Sequence, residues 1–435
     1  MTPFMYVCAI TASARTRMAD HDIFGSLEST MYRGIVVLIT SVALVAGAAP
    51  VAQQAVSPGS LDARIAAALD RHHIPGAVAI AVDKSAVLYR RAFGVADLSI
   101  RSPMAADAVF RIASMTKPVT SVAAMQLIEQ GRVRLDDPAS KYLTELDHPP
   151  VFEAFNAADG SYRLRPAKQT VTVRHLLTHT SGLAYNFTSP IIRDFKPRPG
   201  DTYPAGPLIF EPGERWHYGT STDWVGRLVE RVSGKKLDRY FADHILEPLG
   251  MRDTFFNVPE AKQARVVVIH RRQADGAFVA QPTPLTQVTE FNGGGGLFST
   301  ADDYARFLQM LLNCGALNGA RILSRASVAA MSRNQIGNIG VPALKTAMPE
   351  RSADFAFVND GRDKWGLGFL IASNPPAGKR SAGSLSWGGI NNTHFWIDPS
   401  RGVAGAILMQ YLPFADPTAL DVLDAFERGL YQQLN

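Results

Sequence analysis

Apolar and polar positions divide this chain into strand-like ends around a helical middle. Leu61 to Arg71 repeats apolar residues at helical spacing and predicts an amphipathic helix. Gly76-Ala-Val-Ala-Ile-Ala-Val82, a turn at Asp83-Lys84, and Val87 to Phe93 predict a β-hairpin. Towards the other end, Thr393 to Ile397 and Gly402 to Tyr411 predict two more strands around Asp398-Pro399-Ser400-Arg401, and Pro417 to Gln433 a last helix. Helical runs lie between: Val119 to Gln130, with Val119, Val122, Ala123, Met125, Leu127 and Ile128 apolar, then Val225 to Val232 and Asp302 to Asn313. Strands at both ends predict one antiparallel sheet assembled from both, an α+β architecture.

Three stretches lack this periodicity. Asp147 to Gln169 and Thr188 to Glu211 are rich in Pro, Gly and polar residues, and Gly337 to Lys364 precedes the last strands. Long loops in compact domains often carry function. These are expected to wall a pocket, with plain surface insertions as the alternative.

The beginning of the chain reads differently. Met31-Tyr-Arg33 gives a positive start, Gly34 to Val45 an apolar run, and Ala46-Gly47-Ala48 a small-residue cleavage site. That is the pattern of a secretory signal peptide over residues 31–48. It is short for a membrane-spanning helix, although an uncleaved anchor is the rival reading. Translation is expected to start at Met31, which makes residues 1–30 an extension outside the protein proper. Residues 49–60 read as a linker. A secreted or periplasmic protein is expected, without stable membrane insertion after cleavage.

The net charge of +5 comes from scattered Lys and Arg with no long basic block, so a nucleic-acid partner is not expected. The two cysteines, Cys8 and Cys314, form no metal-ligand pattern with His or Asp, and no metal site is expected. Oligomeric state is not readable.

Candidate chemistry concentrates in Arg111-Ile-Ala-Ser-Met-Thr-Lys-Pro118. Ser114 and Lys117 stand three apart at the start of a helix, so both face the same way. An adjacent amine can activate a serine hydroxyl, and the helix front presents free N–H groups to an oxyanion. The same spacing also suits a helix N-cap serine beside a solvated lysine. A second match, Ser233-Gly-Lys-Lys236, reads as a helix end because of Gly234.

Further stretches tip the balance. They are His175-Leu-Leu-Thr-His-Thr-Ser-Gly182, Pro212-Gly-Glu-Arg-Trp-His-Tyr-Gly219, Gly293-Gly-Gly-Gly-Leu-Phe-Ser-Thr-Ala301 and Trp387-Gly-Gly389. With Ser-x-x-Lys, and in this order, they resemble the serine β-lactamase-like superfamily of class C β-lactamases and penicillin-binding proteins, and most of all the family VIII carboxylesterases. The resemblance implies an antiparallel sheet flanked by helices, with a largely helical second domain. On residues 61–435, the sheet part would be 61–113 and 297–435 and the helical part 114–296.

It also implies roles. Ser114 would be the nucleophile, and Lys117 with Tyr218 one proton-transfer unit. The Ser114 and Ile390 amides would form the oxyanion hole. Trp387, Gly388, Gly389 and Thr220 would line the substrate site. Two positions depart from the β-lactamase form: Thr220 replaces the usual Asn, and Trp387 replaces the cation of Lys-Thr-Gly. Trp-Gly-Gly is the form of many family VIII carboxylesterases, whose substrates are neutral esters. The expectation is a secreted carboxylesterase for small or short-acyl esters, needing no metal or organic cofactor. A β-lactamase or D-alanyl carboxypeptidase, an acyl transferase, and a slowly acylated sensor are the alternatives. His175, His179 and the pair Asp302-Asp303 are expected to be structural, since no Gly-x-Ser-x-Gly elbow accompanies the histidines.

Overall fold

The computed structural model describes residues 60–356 and 361–435. The signal-like segment, the extension before it and nearly all of the linker lie outside the described residues. Helix α1 (Leu61–Arg71) begins where the Ser60 hydroxyl accepts the Ala63 N–H at 3.2 Å, and it buries Leu61, Ile65, Ala68 and Leu69 along one stripe. Strands β1 (Gly76–Asp83), β2 (Val87–Asp97) and β3 (Ser102–Pro103) follow. Then come helices α2 (Thr116–Glu129), α3 (Ser221–Ser233) and α4 (Ala301–Leu312). Strands β4 (Lys364–Trp365), β5 (Leu370–Ile371), β6 (Leu385–Gly389), β7 (Thr393–Asp398) and β8 (Val403–Leu408) precede the last helix, α5 (Pro417–Gln433).

These eight strands form one sheet in the order β4-β5-β6-β7-β8-β1-β2-β3, and every pairing is antiparallel. The expected sheet from both chain ends is present, with β1 from one end hydrogen-bonded to β8 from the other. Period-two alternation along β1 gives each face its own core. Ala77, Ala79 and Ala81 point to the layer of α1 and α5, whereas Val78, Ile80 and Val82 join the larger core containing α2, α3 and α4. The small side chains let the two outer helices pack closely on the sheet. Gly405 has a related reason. It sits opposite Trp396 across the β7–β8 pair, and a Cβ there would lie 2.5 Å from the indole ring.

Helix α2 departs from expectation. Its pattern predicts an amphipathic helix, but every residue from Thr116 to Leu127 is buried. Polar side chains survive there because loops supply partners: Thr120 Oγ1 donates to the Gly293 carbonyl at 2.6 Å, and Gln126 Nε2 to the His244 and Ile322 carbonyls. The Asp147 to Gln169 stretch also differs, since it contains a two-stranded hairpin of Val151–Phe155 and Tyr162–Arg165. Asp302 and Asp303 occupy the first turn of α4, whose N-cap Thr300 accepts the Asp303 N–H at 3.2 Å, as expected. Gly234, with φ 76°, ends α3.

Under α5, Glu427 accepts three bonds from Arg380: Nε and Nη2 at 2.7 Å and the backbone N–H at 2.9 Å. Both side chains are buried. Burial pushes the Glu427 carboxyl up, but Arg380 outweighs it and holds the group below the usual carboxylate range. The stabilisation is therefore present above the unfolded-state pKa and lost as pH falls through the depressed folded value. Glu427→Gln would leave the guanidinium buried without a counter-charge. We expect a loss of about 3–5 kcal/mol in unfolding free energy, read from urea midpoints at neutral pH. A loss under about 1 kcal/mol would show the ion pair to be dispensable.

Candidate active site

Ser114 is presented by a sharp change in backbone direction. Phe110–Arg111 is a short strand paired with Phe298–Ser299. Ala113 then turns left-handed at φ 45°, and a single 3₁₀ turn, Ala113–Met115, runs into α2. A non-glycine residue at positive φ costs about 1–2 kcal/mol, and the packing around it holds the serine at the helix front, half-buried. Its N–H lies in the first turn, where backbone donors have no intrahelical acceptor.

Lys117, one turn on, is 1% exposed. Its Nζ contacts three oxygens: the Gly294 carbonyl at 2.6 Å, the Tyr185 hydroxyl at 3.1 Å and Ser114 Oγ at 3.3 Å. The carbonyl can only accept. The Tyr185 hydroxyl gives its own proton to Asp223 Oδ2 at 2.8 Å, so towards Lys117 it also accepts. Two of the amine's tetrahedral positions are thereby fixed as donors, and the third faces Ser114. It carries a proton when Lys117 is an ammonium and a lone pair when it is neutral. Proton exchange with Ser114 therefore needs no rotation of the lysine.

Tyr218 completes the contact, its hydroxyl 2.6 Å from Ser114 Oγ. The segment before α3 carries it, and Thr188 Oγ1 pins its carbonyl at 2.8 Å. Rings surround it: His179 at 5.1 Å, Tyr185 at 5.2 Å and Trp387 at 4.9 Å between centroids. The Lys117 ammonium nitrogen lies 4.8 Å from its ring centre. Gly219 is required because a Cβ would stand 2.1 Å from the Leu183 carbonyl oxygen.

The histidines are structural, as expected. His179 is wholly buried, and desolvation first, then the Lys117 charge, push its pKa well below the ordinary value. It stays a neutral ring packed on Tyr218, Trp216 and Trp365. His175 forms a capping box with Thr172.

Trp387 meets Tyr218 edge to face but is only 2% exposed, with Trp365 packed on it at 4.7 Å. It backs the tyrosine and offers little face to a ligand. Gly389 brings β6 against the nucleophile's approach strand, where a Cβ would lie 2.2 Å from the Ile112 carbonyl oxygen. Gly388 similarly leaves room for His394, 2.9 Å from its virtual Cβ. Thr393 Oγ1 donates to the Ile112 carbonyl at 3.2 Å and Asn391 Nδ2 to the Arg111 carbonyl at 3.3 Å. Ile390 sits in the turn between these anchors. Thr220 serves α3 through its carbonyl, which accepts the Asp223 N–H at 3.0 Å; its hydroxyl makes no capping bond.

Tyr185, Asp223 and the Gly294 carbonyl were absent from the sequence expectations, yet they orient Lys117. Burial first and the Asp223 carboxylate second hold the Tyr185 phenol well above its usual pKa, so it remains protonated. A Cβ on Gly294 would come within 2.6 Å of the Asp223 carboxylate, which explains one glycine of the 293–296 run. Asp223, in the first turn of a helix, looks like an ordinary partner of the helix dipole in sequence.

Comparison with known proteins agrees with this construction. The family model described as Beta-lactamase matches residues 61–427. Monacolin J acid methylbutanoyltransferase of Aspergillus terreus is 33% identical over 395 residues, which is 84% of this chain and 94% of that protein. Lovastatin esterase of Penicillium rubens is 30% identical over 397 residues, covering 86% and 98%. The solved structure of the LovD6 mutant of simvastatin synthase from Aspergillus terreus superposes with a TM-score of 0.74 at 31% identity, covering 86% of this chain and 96% of that one. Acyl-transfer and ester-cleaving relatives thus share the fold across nearly all the described residues. The chain is an enzyme of the acyl-transfer and hydrolase type and belongs to the Beta-lactamase family.

Proposed function

We propose that this protein is a carboxylesterase for small, short-acyl esters, working through an acyl-enzyme on Ser114. The observation that carries the reading is the double contact on one oxygen: Tyr218 at 2.6 Å and Lys117 at 3.3 Å from Ser114 Oγ. The serine oxygen attacks the ester carbonyl as its proton passes into the Lys117/Tyr218 unit. The unit returns that proton to the departing alkoxide as the ester C–O bond breaks. A water then repeats the sequence on the acyl-enzyme, giving the acid and restoring Ser114. The two protonation sites act as a coupled pair, so the base is the pair and not one member. Ser114 and Ile390 N–H groups are the proposed oxyanion donors.

A β-lactamase reading is weaker, because the position that carries a carboxylate-binding cation in those enzymes is Trp387, buried behind Tyr218. A second reading has support of its own: delivery of the acyl group to an alcohol in place of water, since one relative is named a methylbutanoyltransferase. Export to the periplasm or beyond is part of the proposal and rests on the signal-like segment alone.

The test is turnover of p-nitrophenyl butyrate against a chromogenic cephalosporin, with mass spectrometry of the trapped intermediate. A butyryl group on the Ser114 peptide and preferential ester turnover support the proposal. Faster steady turnover of the cephalosporin would overturn it. Added alcohol separates the two readings, as an alkyl butyrate formed in preference to butyrate identifies the transferase.

The close approach of β6 gives a further prediction. Gly389→Ala must push the strand away from Ile112 and displace the Ile390 amide. We expect kcat for p-nitrophenyl butyrate to fall about 10²-fold, the usual effect of one oxyanion donor. An unchanged kcat would remove Ile390 from the oxyanion hole.

A further inference from the structure

Beside the nucleophile lies a cleft of about 350 Å³ that none of the roles above uses. One wall is the segment 284–298, and the other includes Arg111, Ala113 and Asn391. Ala113 precedes Ser114 and Asn391 follows Ile390, so the cleft is bounded by the chain neighbours of both proposed oxyanion donors. Phe256, Leu285, Val288 and Phe298 make its surface apolar, and Val288 is 40% exposed. None of the three loops expected to wall a pocket contributes to it.

Arg111 is the charged group of the wall whose charge is not balanced. Its guanidinium lies 4.7 Å from the Phe298 ring centre. Nη2 donates to the Thr283 and Pro284 carbonyls at 3.0 and 3.2 Å, both neutral acceptors. Among the described residues it forms no ion pair, and its remaining N–H donors have no such acceptor. Glu290, the other charged lining residue, is paired with Lys236 at 2.9 Å. A half-buried cation without a counter-charge gains from an anion, and a carboxylate oxygen can accept a charge-assisted hydrogen bond from Nη1 or Nε while Nη2 stays on its two carbonyls. One arginine suits a monoanion better than a phosphate dianion.

We propose that this cleft receives the body of a carboxylate-bearing ester, with Arg111 as the carboxylate anchor. The inference rests on the esterase reading and changes its expected substrate from neutral to anionic. Charge recognition would then come from Arg111, three residues ahead of the nucleophile, and not from position 387.

Two matched pairs of substrates test it. In one, p-butyryloxybenzoate and its methyl ester place the carboxylate on the alcohol side. In the other, p-nitrophenyl hydrogen glutarate and its methyl ester place it on the acyl side. Wild type should prefer the charged member of one pair by about tenfold in kcat/KM, the scale of a charge-assisted hydrogen bond. Arg111→Met should bring that ratio to about one, whatever loss both members share. Val288→Asp should lower the ratio and Val288→Lys raise it, without touching the arginine. The pair showing the preference identifies the source of the carboxylate.

No preference in either pair, or a ratio unmoved in Arg111→Met, overturns the anchor. Calorimetric binding of the amide p-butyramidobenzoate, compared with its methyl ester, separates this from failure of the esterase reading. Carboxylate-dependent binding that disappears in Arg111→Met supports the anchor even without ester turnover, and equal binding of both compounds overturns it.

Discussion

Ser114→Ala is expected to lower kcat for p-nitrophenyl butyrate about 10⁶-fold, the scale on which removing the nucleophile silences a serine hydrolase. Neither neighbour can take its place. Lys117 is held by Gly294 and Tyr185, and Tyr218 points at the vacated oxygen. Ser114 is half-buried at the helix front and alanine differs from it by one oxygen atom, so the variant should unfold at nearly the wild-type urea midpoint. That separates loss of chemistry from loss of fold. The acyl mass should vanish from the Ser114 peptide and appear nowhere else. Residual turnover above about one part in a hundred would place the nucleophile at another residue.

Lys117→Met should be the next most damaging change, with kcat/KM reduced about 10⁴-fold, the upper end for a positioned acid–base group. Methionine fits a narrow buried space, so the chief loss is chemical. The variant removes the proton carrier facing Ser114 and the cation beside Tyr218. It also leaves the Gly294 carbonyl without its donor, at a stability cost of about 1–3 kcal/mol. Tyr218→Phe removes the other half of the same unit. The double variant is therefore expected to fall no more than about tenfold below the worse single one. Losses that multiply would mean that the lysine and tyrosine act independently. The comparison is made from kcat/KM of the three variants on one ester.

Elements whose information is local were legible in sequence. Helices α1 and α5 have the expected bounds because each shows one apolar stripe and begins at a recognisable cap, Ser60 and Asp416. The strands of β1 and β8 were readable from short apolar runs between turns. Helix α2 misled, since Thr120 and Gln126 look solvent-facing until the loop carbonyls that receive their hydrogens are known. In the site, Ser114, Lys117 and Tyr218 stood out through motif order, and the structure brings their reacting atoms together. Tyr185 and Asp223 were hidden because their effect depends on contacts across 68 and 38 positions of the chain. The cleft was missed for a similar reason: its wall, the 284–298 segment, gains meaning only when it folds over Arg111.

The antiparallel pairing of α1 and α5 has a practical consequence. Leu61 lies against Gly429, whose missing side chain lets the helices touch, and Arg71 reaches Asp421 at 2.6 Å. The start of one helix therefore meets the end of the other, in the core layer across the sheet from Tyr218 and Trp387. A short linker could join residue 435 to residue 60 while new ends are opened in a surface turn such as Asp83 to Ala86. Such a circularly permuted enzyme would keep every site contact described above. A resin or fusion partner attached just beyond α5 would sit behind the sheet and leave the cleft open to substrate.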